Sequence, residues 1–149
     1  MRISATRRFQ YAIGHRVCRH ESKCRHLHGH NFVFFLTAES IENVGPEGLD
    51  AKGRVIDFGV LKEKFGTWLE ITWDHGFVLW EGDDEAIAAV RLVPGQKLSL
   101  IPYNPTAENL ARLLLEEVGP RLLLNSSVRL SSVKVYETEN NAAEALLET

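Results

Sequence analysis

Hydrophobic and polar positions along this chain alternate between strand-like and helix-like periods. Residues 3–14 mix apolar and polar side chains in the manner of a half-buried strand. A polar, basic loop follows at 15–25. The run 30–37 carries Phe32, Val33, Phe34, Phe35 and Leu36. It is strongly β-prone and apolar on both faces, which predicts a strand covered on both sides. Gly45, Pro46, Gly48 and Gly53 then mark a turn-rich connection. Val55 and Ile56 predict the end of a short strand, and Asp57 can cap a helix starting at Phe58. In that helix Leu61, Phe65, Trp68 and Leu69 recur at helical spacing and form one buried stripe.

The second half reads the same way. Pro102 and Pro105 flank a loop, and Thr106 is the expected N-cap of a second helix. Leu110, Leu113, Leu114 and Val118 make its apolar face, and Gly119-Pro120 is expected to weaken or end it. A last strand is predicted at about 128–137, and 77–80 and 97–101 offer further short strands. The stretch between the two helices otherwise reads as irregular. No repeat, low-complexity tract or linker divides residues 1–149, so the reading is a single domain. A short antiparallel sheet with two helices on one face, an α+β architecture, is the natural way to bury these elements.

Composition narrows the functional classes. The chain has 149 residues, 44% of them hydrophobic and 25% charged, which suits a globular protein with a real core. A net charge of -3 gives no reason to expect a nucleic-acid or anionic-membrane partner. No apolar run approaches a membrane span, and residues 1–8 are basic without the apolar stretch of a signal peptide. A cytoplasmic location is expected, where Cys18 and Cys24 would stay reduced rather than form a disulfide.

Candidate chemistry concentrates early. Five of the six histidines lie at positions 15–30. His28 and His30 share one side of a strand, so both rings can converge on one ion; Gly29 between them admits a close backbone or ligand. His15, ending the preceding strand, would lie beside them in an antiparallel pairing. Three imidazoles with an open fourth position form a catalytic zinc arrangement. A His-x-His pair alone is also compatible with two hydrogen-bonded or surface histidines. His20 and His26 read as solvated loop residues.

Cys24 stands four residues before His28 between Lys23 and Arg25. Cations and a nearby zinc ion would favour its thiolate as base or nucleophile; a small buried hydrophobe is the alternative. Asp74-His75 follows the first helix, where a carboxylate can orient an imidazole, or the histidine can simply meet the helix dipole. Val133, Val135 and Glu137 share one strand face. Glu137 is therefore either a buried carboxylate needing a donor pair or, if the strand has ended, a solvated side chain.

Taken in order, His15, Cys24-x-x-x-His28-Gly29-His30, Ile56-Asp57-Phe58, Asp74-His75, Pro105-Thr106-Ala107-Glu108-Asn109 and Tyr136-Glu137-Thr138 resemble the 6-pyruvoyltetrahydropterin synthase / 6-carboxytetrahydropterin synthase family. A lone His-Gly-His carries little; six motifs in the family's order, over nearly the whole chain, carry the resemblance. It implies the tunnelling fold (T-fold), in which protomers join their sheets into a barrel, commonly a hexamer of two trimers with active sites between subunits. That would cover both faces of the strand at 30–37. By position, the resemblance makes His15, His28 and His30 zinc ligands, Cys24 the catalytic cysteine, and Asp74 with His75 the catalytic pair. Glu137 matches the carboxylate that grips the pterin ring, and Thr106 falls with it among the substrate-binding residues.

The Cys-x-x-x-His-Gly-His spacing is that of the bacterial carboxy-forming members, and Arg25 stands where the folate-linked group has a glutamate. The resemblance therefore implies a zinc-dependent carbon–carbon lyase, a 6-carboxytetrahydropterin synthase. It would convert 7,8-dihydroneopterin triphosphate to 6-carboxytetrahydropterin, acetaldehyde and triphosphate, on the 7-deazaguanine route to queuosine. Arg16, Arg19 and Lys23 are candidates for neutralising the triphosphate. Residues 11–14 and 76–80 depart from the family's usual pattern. Rival readings are a 6-pyruvoyltetrahydropterin synthase and a non-catalytic, zinc-stabilised pterin-binding module of the same fold.

Overall fold

The computed structural model describes residues 1–42 and 46–148; the turn expected at Gly45 lies outside them. Strands β1 (Ser4–His15), β2 (His28–Ser40), β3 (Gly76–Trp80), β4 (Leu98–Ile101), β5 (Val128–Thr138) and β6 (Asn141–Leu146) form one sheet. Their order across it is β4-β3-β1-β2-β5-β6. Two long helices, α1 (58–72) and α3 (107–122), and a short one, α2 (Asp84–Arg91), complete the described architecture.

The antiparallel expectation holds for β1, β2, β5 and β6. It fails for β3 and β4, which pair parallel to β1 and to each other. The reason is α2. Read as irregular from the sequence, it is a crossover helix, and a helix between two neighbouring strands of one sheet returns the chain in the same direction. Asp83 caps it by accepting from the Ala86 N–H at 3.3 Å, and Ala86, Ile87 and Val90 pack on Leu79 of β3.

Alternation along the central strands decides the main core. Phe9 and Ile13 from β1, Phe32, Phe34 and Leu36 from β2, and Val133 and Val135 from β5 are buried on one face. Leu61, Phe65 and Leu69 of α1 and Leu110 and Leu114 of α3 close over them, with Trp73. Each such side chain contributes about 1.5–3 kcal/mol by leaving water. Within one chain the other face of β2 is only partly covered. Val33 and Phe35 are half-buried, with Phe35 5.9 Å from the Tyr136 ring, so the expectation of a strand covered on both sides is not met by this chain alone.

Two local expectations are corrected. Val55 and Ile56 do not form a strand; they lead as a bend into Asp57, whose carboxylate accepts from the Gly59 N–H at 2.7 Å and starts α1. Gly119-Pro120 does not end α3. A widened turn at Leu114–Val118 passes the Gly119 N–H back to the Leu114 carbonyl. That register change carries the helix past a residue that lacks a donor and would otherwise crowd the preceding turn. Gly119 is needed there for packing, since a Cβ would lie 2.8 Å from Leu130 Cδ1 of β5.

Candidate metal and thiol site

Strand register brings the histidines together. His15 closes β1 opposite His28, the first residue of β2, and His30 lies opposite Ile13. All three rings therefore project from the core face at one end of the sheet. Their centroids are 4.6 Å (His15–His28), 5.3 Å (His15–His30) and 4.9 Å (His28–His30) apart. Phe32 supports the cluster from below, edge-on to His15 at 5.1 Å and to His30 at 5.5 Å. The strands meet closely because position 29 has no side chain: a Cβ on Gly29 would lie 3.1 Å from the Ile13 carbonyl. The close approach expected at Gly29 is thus made by the neighbouring strand.

Hydrogen bonding prepares two rings for a metal. His15 Nδ1 lies 2.7 Å from the Pro105 carbonyl and His28 Nδ1 2.6 Å from the His26 carbonyl. A carbonyl only accepts, so each Nδ1 carries the proton and each Nε2 presents a lone pair. His15 is 1% exposed, and its Nε2 and that of His30 are buried without a hydrogen-bond partner. Orphaned buried nitrogens are costly unless something coordinates them. Burial favours the neutral ring at both His15 and His30 and lowers their pKa values, against the opposing pull of the Pro105 carbonyl on His15 and of Glu137 on both. Neutral imidazole is the ligand form. The donor set fits a zinc-type ion, with the ligand atoms of His15, His28, His30 and Glu137 all within 4.8 Å of one another.

Glu137 enters this group through a bulge. Register in the β5–β6 hairpin shifts between Tyr136 and Thr138, and the extra residue is turned toward the rings. Its Oε1 lies 2.9 Å from His30 Nε2, without hydrogen-bond alignment, and 3.8 Å from His15 Nε2. The Val133–Val135–Glu137 face was legible in the sequence; the shared location with the histidines was not.

Cys24 sits in a short 3₁₀ turn, Lys23–Arg25, half-buried, as a free thiol like Cys18. With Lys23, His28, His30, Glu137 and Thr138 it lines a cavity of about 400 Å³. Asp74 and His75 pair as expected, Oδ1 to Nδ1 at 2.9 Å. His75 has a left-handed backbone (φ 57°), fixed by its N–H donating to the Ala12 carbonyl at 2.7 Å. It is not in the thiol cavity, however. Its side chain is 81% exposed and lines a different hollow, with Gly14, Gly29, Asn31 and Phe77 and with His28 and His30, which border both hollows. Within one chain neither member of this pair lines the cavity that holds Cys24.

Other sequence candidates fall as follows. Thr106 caps α3, its hydroxyl accepting from the Asn109 N–H at 3.1 Å. Arg16 is engaged by buried Asp83, with Nε 2.7 Å from Oδ2 and a second bond through Nη2, so its fork is not free for a phosphate. Arg19 is exposed in the loop, and only Lys23 of the three basic candidates lines the thiol cavity. Sequence reasoning missed the Pro105 carbonyl that orients His15, because a backbone acceptor 90 residues away leaves no side-chain signature.

Comparison with known proteins agrees with this geometry. A 6-carboxy-5,6,7,8-tetrahydropterin synthase of Rickettsia typhi is 36% identical over 138 residues, covering 93% of this chain and 96% of that protein. One of Haemophilus influenzae is 27% identical, covering 93% and 95%. Among solved structures, an uncharacterized protein of Wolinella succinogenes superposes with a TM-score of 0.76 at 23% identity, covering 98% of both chains. The 6-pyruvoyl tetrahydropterin synthase of Caenorhabditis elegans gives 0.65 at 23% identity, covering 98% and 96%. These two establish the fold, which is the T-fold. The family model described as 6-pyruvoyl tetrahydropterin synthase matches residues 4–148, and the chain therefore belongs to the 6-pyruvoyl tetrahydropterin synthase family.

Proposed function

We propose that this protein is a 6-carboxy-5,6,7,8-tetrahydropterin synthase that holds one zinc ion through His15, His28 and His30. In this reading it converts 7,8-dihydroneopterin triphosphate and water to 6-carboxytetrahydropterin, acetaldehyde and triphosphate, a step toward 7-deazaguanines and queuosine. The observation that carries the reading is the convergence of three imidazoles, two of which, His28 and His30, line one cavity with a free thiol. The relatives of that name add support.

When bound, the metal would supply Lewis acidity toward the hydroxyls of the substrate side chain. The chain's own residues would do the rest. Cys24 Sγ takes the proton from the side-chain carbon next to the ring. His75, oriented by Asp74, moves protons to and from the side chain as triphosphate leaves and the carbon–carbon bond breaks. Water supplies the second carboxyl oxygen. Glu137, with a side chain 26% exposed at a bulge, can turn from the rings toward an N–H pair of the pterin. Thr106 belongs to the substrate-binding set by family resemblance, beside its capping role. Lys23 is the cavity's basic group for the triphosphate.

Cys24 and His75 line different hollows within one chain, so the proposal places His75 and Asp74 at the thiol site of a neighbouring subunit. The half-covered face carrying Val33, Phe35 and Tyr136 supports a homo-oligomer, a hexamer of two trimers in this reading. No helix among the described residues is long and apolar enough to cross a membrane.

The test is incubation of metal-replete protein with 7,8-dihydroneopterin triphosphate and mass spectrometry of the products. Equimolar 6-carboxytetrahydropterin and acetaldehyde are expected. A 6-pyruvoyl product would reassign the reaction to triphosphate elimination alone, and pterin binding without turnover would leave a non-catalytic module.

A further inference from the structure

The loop between β4 and α3 reaches both halves of the site. Pro105 gives its carbonyl to His15 Nδ1 at 2.7 Å. Its neighbour Asn104 faces the other way and meets the backbone of Cys18 with both ends of its amide. Asn104 Oδ1 accepts from the Cys18 N–H at 3.0 Å, and its Nδ2 donates to the Cys18 carbonyl at 3.2 Å. A side-chain amide thus replaces the peptide of a missing neighbouring strand. Next to this clamp, the Val17 N–H donates to the Cys24 carbonyl at 2.8 Å, closing the loop that presents the thiol. Asn104 is itself braced by α3. Its backbone carbonyl accepts from the Thr106 N–H at 2.9 Å and from Asn109 Nδ2 at 2.9 Å.

We infer that Asn104 is a positioning residue for Cys24: it sets where the thiol stands relative to the His15–His28–His30 cluster by clamping the peptide groups of Cys18. The inference rests on the functional reading above for its effect on turnover, but not for its effect on the thiol. Loop 17–24 has no fully buried side chain of its own among the described residues, so these backbone bonds contribute strongly to its placement. A reacting group misplaced by about 1 Å loses on the order of 10²-fold in rate, and releasing two of the bonds that fix the loop permits such a displacement.

The test is Asn104→Ala, with isosteric Asn104→Asp as the second variant should the first not fold; the carboxylate keeps the acceptor but opposes the Cys18 carbonyl. Three readouts are expected to separate positioning from general damage. Metal stoichiometry and the electronic spectrum of the cobalt-substituted protein stay as in the wild type, because Pro105 still orients His15. The Cys18 amide loses hydrogen-exchange protection, and alkylation of Cys24, scored by peptide mapping apart from Cys18, changes about tenfold in rate. On the pterin substrate kcat falls roughly 10²-fold with KM within about threefold.

Unchanged Cys24 alkylation overturns the inference whatever reaction the protein performs. So does loss of the metal, which would mean that Asn104 acts through His15. Wild-type protein inactive on the substrate would instead fail the functional reading, leaving the alkylation and exchange results to decide the role of Asn104.

Discussion

Removing the carboxylate of Asp83 tests how the end of β1 is held. Asp83 is 2% exposed and makes two hydrogen bonds to Arg16, whose side chain is 17% exposed. Its carboxylate also caps α2 through the Ala86 N–H. In Asp83→Ala the guanidinium stays largely buried with only Glu85 nearby, 3.6 Å away on a side chain 88% exposed. Breaking a buried pair on one side costs about 3–5 kcal/mol; access to water and to Glu85 puts this one near ~3. The lost cap adds ~1 kcal/mol, for a total of about 4. At roughly 2–4 °C per kcal/mol for a chain of this size, Tm should fall by about 8–16 °C. Asp83→Asn keeps an acceptor for both partners and should lose about half as much.

The pH dependence carries a sign. The Arg16 hydrogen bonds hold the Asp83 carboxyl below the usual carboxylate range, against the opposing effect of burial. Its contribution is therefore full above the unfolded-state pKa of about 4 and is lost as pH falls through the lower folded value. Denaturant unfolding of the wild type and Asp83→Ala from about pH 7 downward should show a constant gap that closes only below about pH 4. A gap under about 1 kcal/mol at neutral pH, or one that persists into acid unfolding, would refute the assignment of this pair as a structural tie.

The other predictions concern the site itself. Cys24→Ala should retain stoichiometric metal and lose turnover, whereas His28→Ala should lose both; metal analysis beside product assays checks the pair. Gly29→Ala would put a Cβ 3.1 Å from the Ile13 carbonyl, and because a backbone acceptor yields little, about 1–3 kcal/mol of stability should go. Since His28 and His30 flank that position, metal titration should show weaker binding as well. Chelation should leave the far-ultraviolet dichroism intact, because the core around Phe32, Phe34 and Leu110 does not include the ion. At a free metal concentration a hundredfold above Kd, the ion should raise Tm by roughly 5–11 °C. Unfolding on chelation would make the metal structural.

Local patterns in the sequence determined a good deal. β-prone and mixed apolar–polar runs placed β1, β2 and β5, helical spacing placed α1 and α3, and the caps at Asp57 and Thr106 stand where residue type puts them, because these signals act within one turn or one strand. The period of two also put His28, His30 and Glu137 on core-facing positions, and the ordered motifs identified the family. Tertiary structure decided what depends on distant backbone. Strand register set His15 opposite His28; a crossover through α2 made β3 and β4 parallel; a bulge turned Glu137 into the histidine cluster. Pro105, 90 residues from His15, acts through its backbone carbonyl, and Asn104, 86 residues from Cys18, acts on that residue's peptide atoms. Such bonds are invisible in a list of side chains, and only the folded path of the chain brings their partners within hydrogen-bonding distance.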